Sequence, residues 1–211
     1  PARRIRPVTC QSSPQHRHWW AWALIFLADD FTFYWYHRFA HEIRILWAAH
    51  VNHHSSVEYS LSIALRQSWG ELLFKYFFWL WLPVVGFPPM MVFMMISISL
   101  IYQFWVHTEL IHRFPKWFEF IMNTPSHHRV HHASNYRYLD RNHAGILIIW
   151  DRMFGTFVEE DEEPIYGITI PLNSWDPIWA NIGPMSSLFK EAFKAWWKRN
   201  VCDSVPDDFK N

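Results

Sequence analysis

Residues Trp19 to Tyr36 (WWAWALIFLADDFTFYWY) form an apolar, aromatic run whose only charges are Asp29 and Asp30. As a helix these eighteen residues reach about 27 Å, enough to cross a hydrocarbon core with tryptophan at the interface. Adjacent carboxylates are costly in lipid, so this pair is expected to face protein or water. A second apolar block runs from Leu72 to Val106. Its first arm is apolar apart from Lys75 and Tyr76, and Pro83, Gly86, Pro88 and Pro89 then break the chain. Met90–Val106 is again nearly all apolar. Helix, uncharged turn and helix predict a hairpin that enters a bilayer and returns. Spans are therefore expected near 19–36, 68–82 and 88–106, in an all-α integral membrane protein.

Basic residues gather outside these blocks. Arg38, Arg44 and Arg66 precede the hairpin; Arg113, Lys116, Arg129, Arg137, Arg141 and Arg152 follow it. The positive-inside bias places these segments on the cytoplasmic side, in a bacterial inner membrane or the endoplasmic reticulum. Arg3, Arg4, Arg6 and Arg17 conflict with that orientation unless a further span precedes them. The chain begins with Pro1, and we expect it to be incomplete at this end. Residues 1–18 are polar and basic and lack the apolar core of a secretory signal. Residues 19–180 are expected to form the catalytic domain, and 181–211 an amphipathic tail. Within that tail, 185–200 predicts a helix with Leu188, Phe189, Ala192, Phe193 and Trp196 on one face, against protein or lipid headgroups. The stretch AGILIIW (144–150) fits a buried extended segment or a short helix, and EEDEEP (159–164) a solvated loop.

Composition sharpens this picture in one respect. The 211 residues are 51% hydrophobic and 19% aromatic, which excludes a disordered chain. Net charge is zero, so there is no basic footprint for nucleic acid. Two cysteines cannot build a disulfide framework or a thiolate metal site. Histidine is the outlier: fourteen residues, roughly three times ordinary usage.

Twelve of these histidines lie between positions 37 and 143, in clusters. His37-Arg-Phe-Ala-His41 puts two imidazoles on one helical face. His50-Val-Asn-His53-His54 and His128-Arg-Val-His131-His132 repeat the pattern H-x-x-H-H, which chance would produce only about 0.06 times in such a chain. His107 and His112 follow the hairpin, His127 adjoins the last box, and His143 lies beyond it. An even number of membrane passages separates the boxes, so all can reach one face. Neutral imidazole suits Fe, Zn, Cu and Ni. Eight to ten imidazoles exceed the needs of one ion, so two are expected. Structural zinc favours four closed ligands, usually with Cys, and soluble di-iron oxygenases favour Glu with a pair of Glu-x-x-His motifs; the chain has only two Cys and a single Glu-x-x-His, Glu109–His112.

The segments 37–68, 102–110 and 123–157, with the three boxes and the run NHAGILIIWDRMFGTF, resemble the fatty acid hydroxylase/sterol desaturase superfamily. Within it they are most similar to the alkylglycerol monooxygenase branch and its bacterial relatives. The resemblance implies a membrane non-haem di-iron enzyme that uses O₂ and an external reductant (electron-donor protein or small molecule) to hydroxylate or desaturate a lipid. By motif it implies His37, His41, His50, His53, His54, His107, His128, His131 and His132 as ligands, with His112, His127 and His143 as further candidates. Two positions depart from the family pattern: His143 replaces a usual Tyr, and Ala133 a frequent Gly. The alternative is a membrane di-zinc hydrolase using the same histidines. A haem protein with paired axial histidines and a metal transporter are further rivals. Ligand imidazoles need an acceptor for their other nitrogen, and Glu42, Glu58, Glu109, Asp140 and Asp151 are candidates.

Overall fold

The computed structural model describes residues 18–172, 174 and 176–199. The basic segment 1–17, with His16 and Cys10, and the end of the tail, with Cys202, lie outside these residues. The described chain is helical throughout, with two isolated β-bridges, Met122 to Leu147 and Ala133 to Tyr166, in place of strands.

The first apolar run forms α1, Trp19–Glu42, which stops where Ile43 turns extended (φ −104°, ψ 117°). The chain reverses into α2, Arg44–His54, and the two helices pack side by side. The first hairpin arm is broken into α3 (Trp69–Phe74), a 3₁₀ stretch (Lys75–Trp79) and α4 (Trp81–Val84). The second arm is α5, Pro89–Trp105, opened by a proline whose missing N–H costs nothing in the first turn. No described helix is long and apolar enough to cross a membrane. Of the three expected spans, the first continues as α1 into charged and imidazole groups, the second is fragmented, and the third is α5, of 17 residues.

The core lies between α1, α2, α4 and α5, with Ile25, Phe33, Tyr36, Ala40, Leu46, Trp79, Leu82, Met91, Val92 and Met95 buried together. The two acidic residues of the first run face protein, as lipid cost requires. Asp29 accepts a hydrogen bond from Trp79 Nε1 at 2.6 Å. Asp30, with no exposed surface, accepts from the backbone N–H of Ile146 and Leu147 and from Trp150 Nε1, at 2.7, 3.0 and 2.9 Å. One carboxylate thereby fastens the 143–150 segment to α1. That segment is both things the sequence allowed: extended to Leu147, then a short helix α8, Ile149–Phe154, closed by Gly155 at φ 74°.

After α6 (Lys116–Ile121), Pro125 opens α7, Pro125–His132, which carries the last box. The C-terminal helix α9, Pro177–Trp197, starts earlier than position 185, because Asp176 caps it by accepting from Ile178 N–H and Pro177 supplies its first turn. The expected tail boundary at 181 therefore falls inside a helix. Ala180 and Gly183 are its buried positions, and it lies against α2 and α3. Phe189, Phe193 and Trp196, the expected apolar face, are exposed.

Candidate metal centre

Helical spacing places the donors. His37 and His41 occupy successive turns at the end of α1, His50, His53 and His54 lie on α2, and His128, His131 and His132 on α7. His107 follows the end of α5, where its Nδ1 donates to Gln103 carbonyl oxygen at 2.8 Å and fixes the ring. The imidazoles sort into two groups, each with its ligand atoms within 4.8 Å of one another. The first holds His37, His41, His50, His54 and His131; the second holds His53, His107, His128 and His132. The groups adjoin, with His54 and His132 stacked at 4.3 Å.

The two H-x-x-H-H boxes are exchanged between the groups. The outer pair of the α2 box, His50 and His54, enters the first group while His53 enters the second. In the α7 box the outer pair, His128 and His132, enters the second while His131 crosses to the first. On a helix the outer pair is separated by one turn and shares a face, whereas the fourth residue is rotated from both. Two copies of one motif thus each contribute to both groups.

The donor set fits metal ions. His37 Nε2 and His54 Nε2 lie 3.1 and 3.2 Å from His50 Nε2. In the second group Nε2–Nε2 separations are 2.9 Å (His107–His128), 3.2 Å (His128–His132) and 3.4 Å (His53–His107). Imidazole nitrogens sharing an ion at about 2.0–2.1 Å stand about 2.9 Å apart at right angles and about 3.4 Å apart tetrahedrally. His41 Nε2 and His131 Nε2 are buried without a hydrogen-bond partner, as lone pairs reserved for a cation would be. Burial holds His37, His41, His53, His54, His128, His131 and His132 well below the ordinary histidine range, and neighbouring imidazoles push the same way. Burial also brings His107 down to about 4. All are therefore neutral near pH 7, the state that ligates.

The outer nitrogens of four rings are held by backbone carbonyls. His53 Nδ1 donates to Ile63 carbonyl oxygen at 3.0 Å. One four-residue loop serves three ligands of the first group. Asp140 Oδ1 takes His41 Nδ1 at 3.2 Å, Arg141 carbonyl takes His131 Nδ1 at 2.9 Å, and His143 carbonyl takes His37 Nδ1 at 2.8 Å. Asp140 and Asn142 adopt left-handed backbone (φ 54° and 56°) to aim these acceptors. The Asn142 amide ties the loop down through His127 carbonyl, Val158 carbonyl and Val158 N–H.

Of the carboxylates singled out from sequence, only Asp140 meets a ligand ring. Asp151 instead accepts from the N–H of His143 and Ala144 at 2.8 Å each, and Glu42 pairs with Arg38. The sequence reading missed the carbonyl acceptors, for which no side-chain signal exists, and it missed Glu71, taken up below. The three further histidine candidates stand outside both groups. His112 is exposed, and His127 packs against Phe157. His143 is buried beside His41 and His131 but contributes its carbonyl to the site rather than a ligand nitrogen.

Two cavities flank the histidines. One, of about 290 Å³, lies between α1, α2, α3 and α5, is bounded by Phe33, Leu65, Leu72, Tyr76, Leu100 and Phe104, and reaches His37, His50, His53, His107 and His128. The other, of about 260 Å³, approaches His41, His54, His131 and His132 past Trp47, Ser134, Asp140 and Thr169. The first is mainly apolar and the second mixed, and different imidazoles line each.

The described residues thus bring two adjoining imidazole groups, each able to hold a metal ion, to the side of an apolar cavity. The fatty acid hydroxylase family model matches residues 22–156, a stretch that contains every histidine of both groups, and the chain belongs to that family. Alkylglycerol monooxygenase of Xenopus tropicalis is 52% identical over 165 residues, covering 77% of this chain and 36% of the relative. The human alkylglycerol monooxygenase is 49% identical over 160 residues, covering 75% and 35%. The ornithine lipid hydroxylase OlsE of Rhizobium tropici is 30% identical over 152 residues, covering 67% and 45%. The chain thus spans about a third of the length of the alkylglycerol monooxygenases it matches. No solved structure matches it.

Proposed function

We propose that this chain is the catalytic region of a membrane-embedded, di-iron, O₂-dependent lipid hydroxylase. The observation that carries the reading is the pair of imidazole groups, each with its ligand nitrogens within 4.8 Å of one another, beside an apolar cavity. Imidazole alone leaves iron, zinc and copper open. The monooxygenase and hydroxylase names of the relatives favour iron. Bound iron would supply the electrons that activate O₂, with an external reductant restoring them.

The protein's own part is binding and exclusion. Leu72, Tyr76, Leu100 and Phe104 line the apolar cavity and are exposed at its outer end, so the cavity opens onto an apolar surface. Leu73, Phe77, Leu80, Val84, Met90, Phe93 and Ile101 continue that surface along the hairpin, and Phe189, Phe193 and Trp196 add a face on α9. A surface of this kind fits lipid and supports insertion of the hairpin; the cytoplasmic placement of the histidines rests on the distribution of Lys and Arg alone. The substrate enters as an alkyl chain and meets the imidazole wall. Alkylglycerols are the first substrates to test, because the relatives near 50% identity bear that name; sterols and fatty acyl lipids follow. The second cavity, which reaches His41, His54, His131 and His132, would offer the reductant a separate approach.

The test uses membranes containing the protein, a 1-O-alkylglycerol, a reductant and ¹⁸O₂. One ¹⁸O atom in the oxidised lipid and about two iron ions per purified chain are expected. Turnover that continues without O₂, with zinc as the bound metal after anaerobic purification, would establish the zinc hydrolase alternative instead.

A further inference from the structure

Glu71 occupies a position that the metal-binding reading does not use. It lies on α3, its side chain is 4% exposed, and it lines the apolar cavity. A buried carboxylate in such a place is costly without partners. Its Oε1 accepts from Tyr36 hydroxyl at 2.8 Å and from Lys75 Nζ at 3.4 Å. Its Oε2 has no hydrogen-bond partner, and neither has the Nδ1 of His50. These two orphaned, buried atoms face each other at 3.6 Å.

We propose that Glu71 is a positioning residue for the metal centre, holding His50 through Nδ1 while Tyr36 and Lys75 hold the carboxylate. The inference rests on the reading of the histidine groups as a metal centre. His50 Nε2 is the atom on which the first group converges, 3.1 Å from His37 Nε2 and 3.2 Å from His54 Nε2. When Nε2 binds a cation, the ring proton resides on Nδ1 and needs an acceptor. Glu71 Oε2 is the acceptor in reach. Other ligand rings, His37, His53, His107 and His131, donate to carbonyl oxygens. A carboxylate makes its imidazole a stronger donor than a carbonyl does, so the two ions are inequivalent: the first group carries five imidazoles, one of them backed by buried charge. Lys75 balances that charge, which explains a lysine only 7% exposed in an otherwise apolar wall.

The experiment compares intact protein with Glu71→Gln, Tyr36→Phe and the exposed control Glu191→Gln. Each is loaded with Fe(II) or Co(II), and metal loss to a chelator and the Co(II) visible spectrum are followed. Glu71→Gln should weaken one ion by about 10–100-fold, leave the second bound and shift the Co(II) bands. Tyr36→Phe, which keeps the carboxylate but loosens it, should produce a smaller loss at the same ion, and it serves alone if Glu71→Gln does not fold. Glu191→Gln should match the parent. Two ions retained with parental affinity and an unchanged Co(II) spectrum in both Glu71→Gln and Tyr36→Phe would overturn the inference while leaving the metal centre standing. Failure of the parent itself to bind a pair of ions overturns both.

Discussion

His107 Nε2 and His128 Nε2 lie 2.9 Å apart. His107 follows α5, whereas His128 sits on α7, beyond the short helix α6. The polar loop between them is pinned by Arg129, which reaches the carbonyl oxygens of Thr108, Ile111 and His112 and pairs twice with Glu160 at 2.7 Å. Arg129 thereby links the loop after the hairpin to the last histidine box, and the second imidazole group draws on both.

Replacing His53 or His131 with Ala should abolish lipid oxidation and lower bound iron, because each removes a donor from a different group. Replacing exposed His112 should change neither. Metal analysis beside the oxidation assay distinguishes the cases, and full activity in the two Ala variants would defeat the assignment of the groups.

Asn142→Ala should loosen the first group without touching a ligand. It removes three hydrogen bonds and leaves a left-handed backbone that Ala tolerates poorly. A loss of about 2–4 kcal/mol in unfolding free energy is expected from the unsatisfied groups and strain. Faster metal loss to a chelator should accompany it, and parental metal retention would show that the loop does not orient the imidazoles.

Gly145→Ala tests the junction between α1 and the 143–150 segment. An added Cβ would stand 2.8 Å from Phe33 Cδ1 and 3.1 Å from Asp30 Oδ1. The crowding should cost about 1–3 kcal/mol, read as a lower denaturation midpoint. An unchanged midpoint would mean that Asp30 and Phe33 give way freely.

Acid should destabilise the metal-free protein. Burial lowers His127 to about 3 against an ordinary 6.5, so the unfolded chain takes up its proton first. Its stability contribution is complete above about pH 6.5 and falls as the pH drops through the window toward 3, by about 1.4 kcal/mol per pH unit. His127→Gln should flatten the slope between pH 6.5 and 5 by up to that amount. Unfolding curves at several pH values check this, and identical slopes would refute it.

Local spacing made much of this protein legible in one dimension. The i, i+3 and i+4 recurrence in two H-x-x-H-H boxes identified the donors, since helical geometry alone puts such residues on neighbouring faces. The cost of charge in an apolar run foretold that Asp29 and Asp30 would be buried against protein. What spacing could not determine is partnership across the chain. The crossing of His53 and His131 between groups follows from how α2 and α7 are apposed. His131 lies on α7 and enters the first group, whereas His143 lies on the loop that Asp140 and Asn142 turn and gives its carbonyl oxygen instead. The facing of Glu71 and His50 depends on α3 packing against α2, which no local periodicity records. Hydrogen-bond acceptors on the backbone carry no side-chain signature at all, so only the folded chain could show that carbonyl oxygens hold four of these imidazoles.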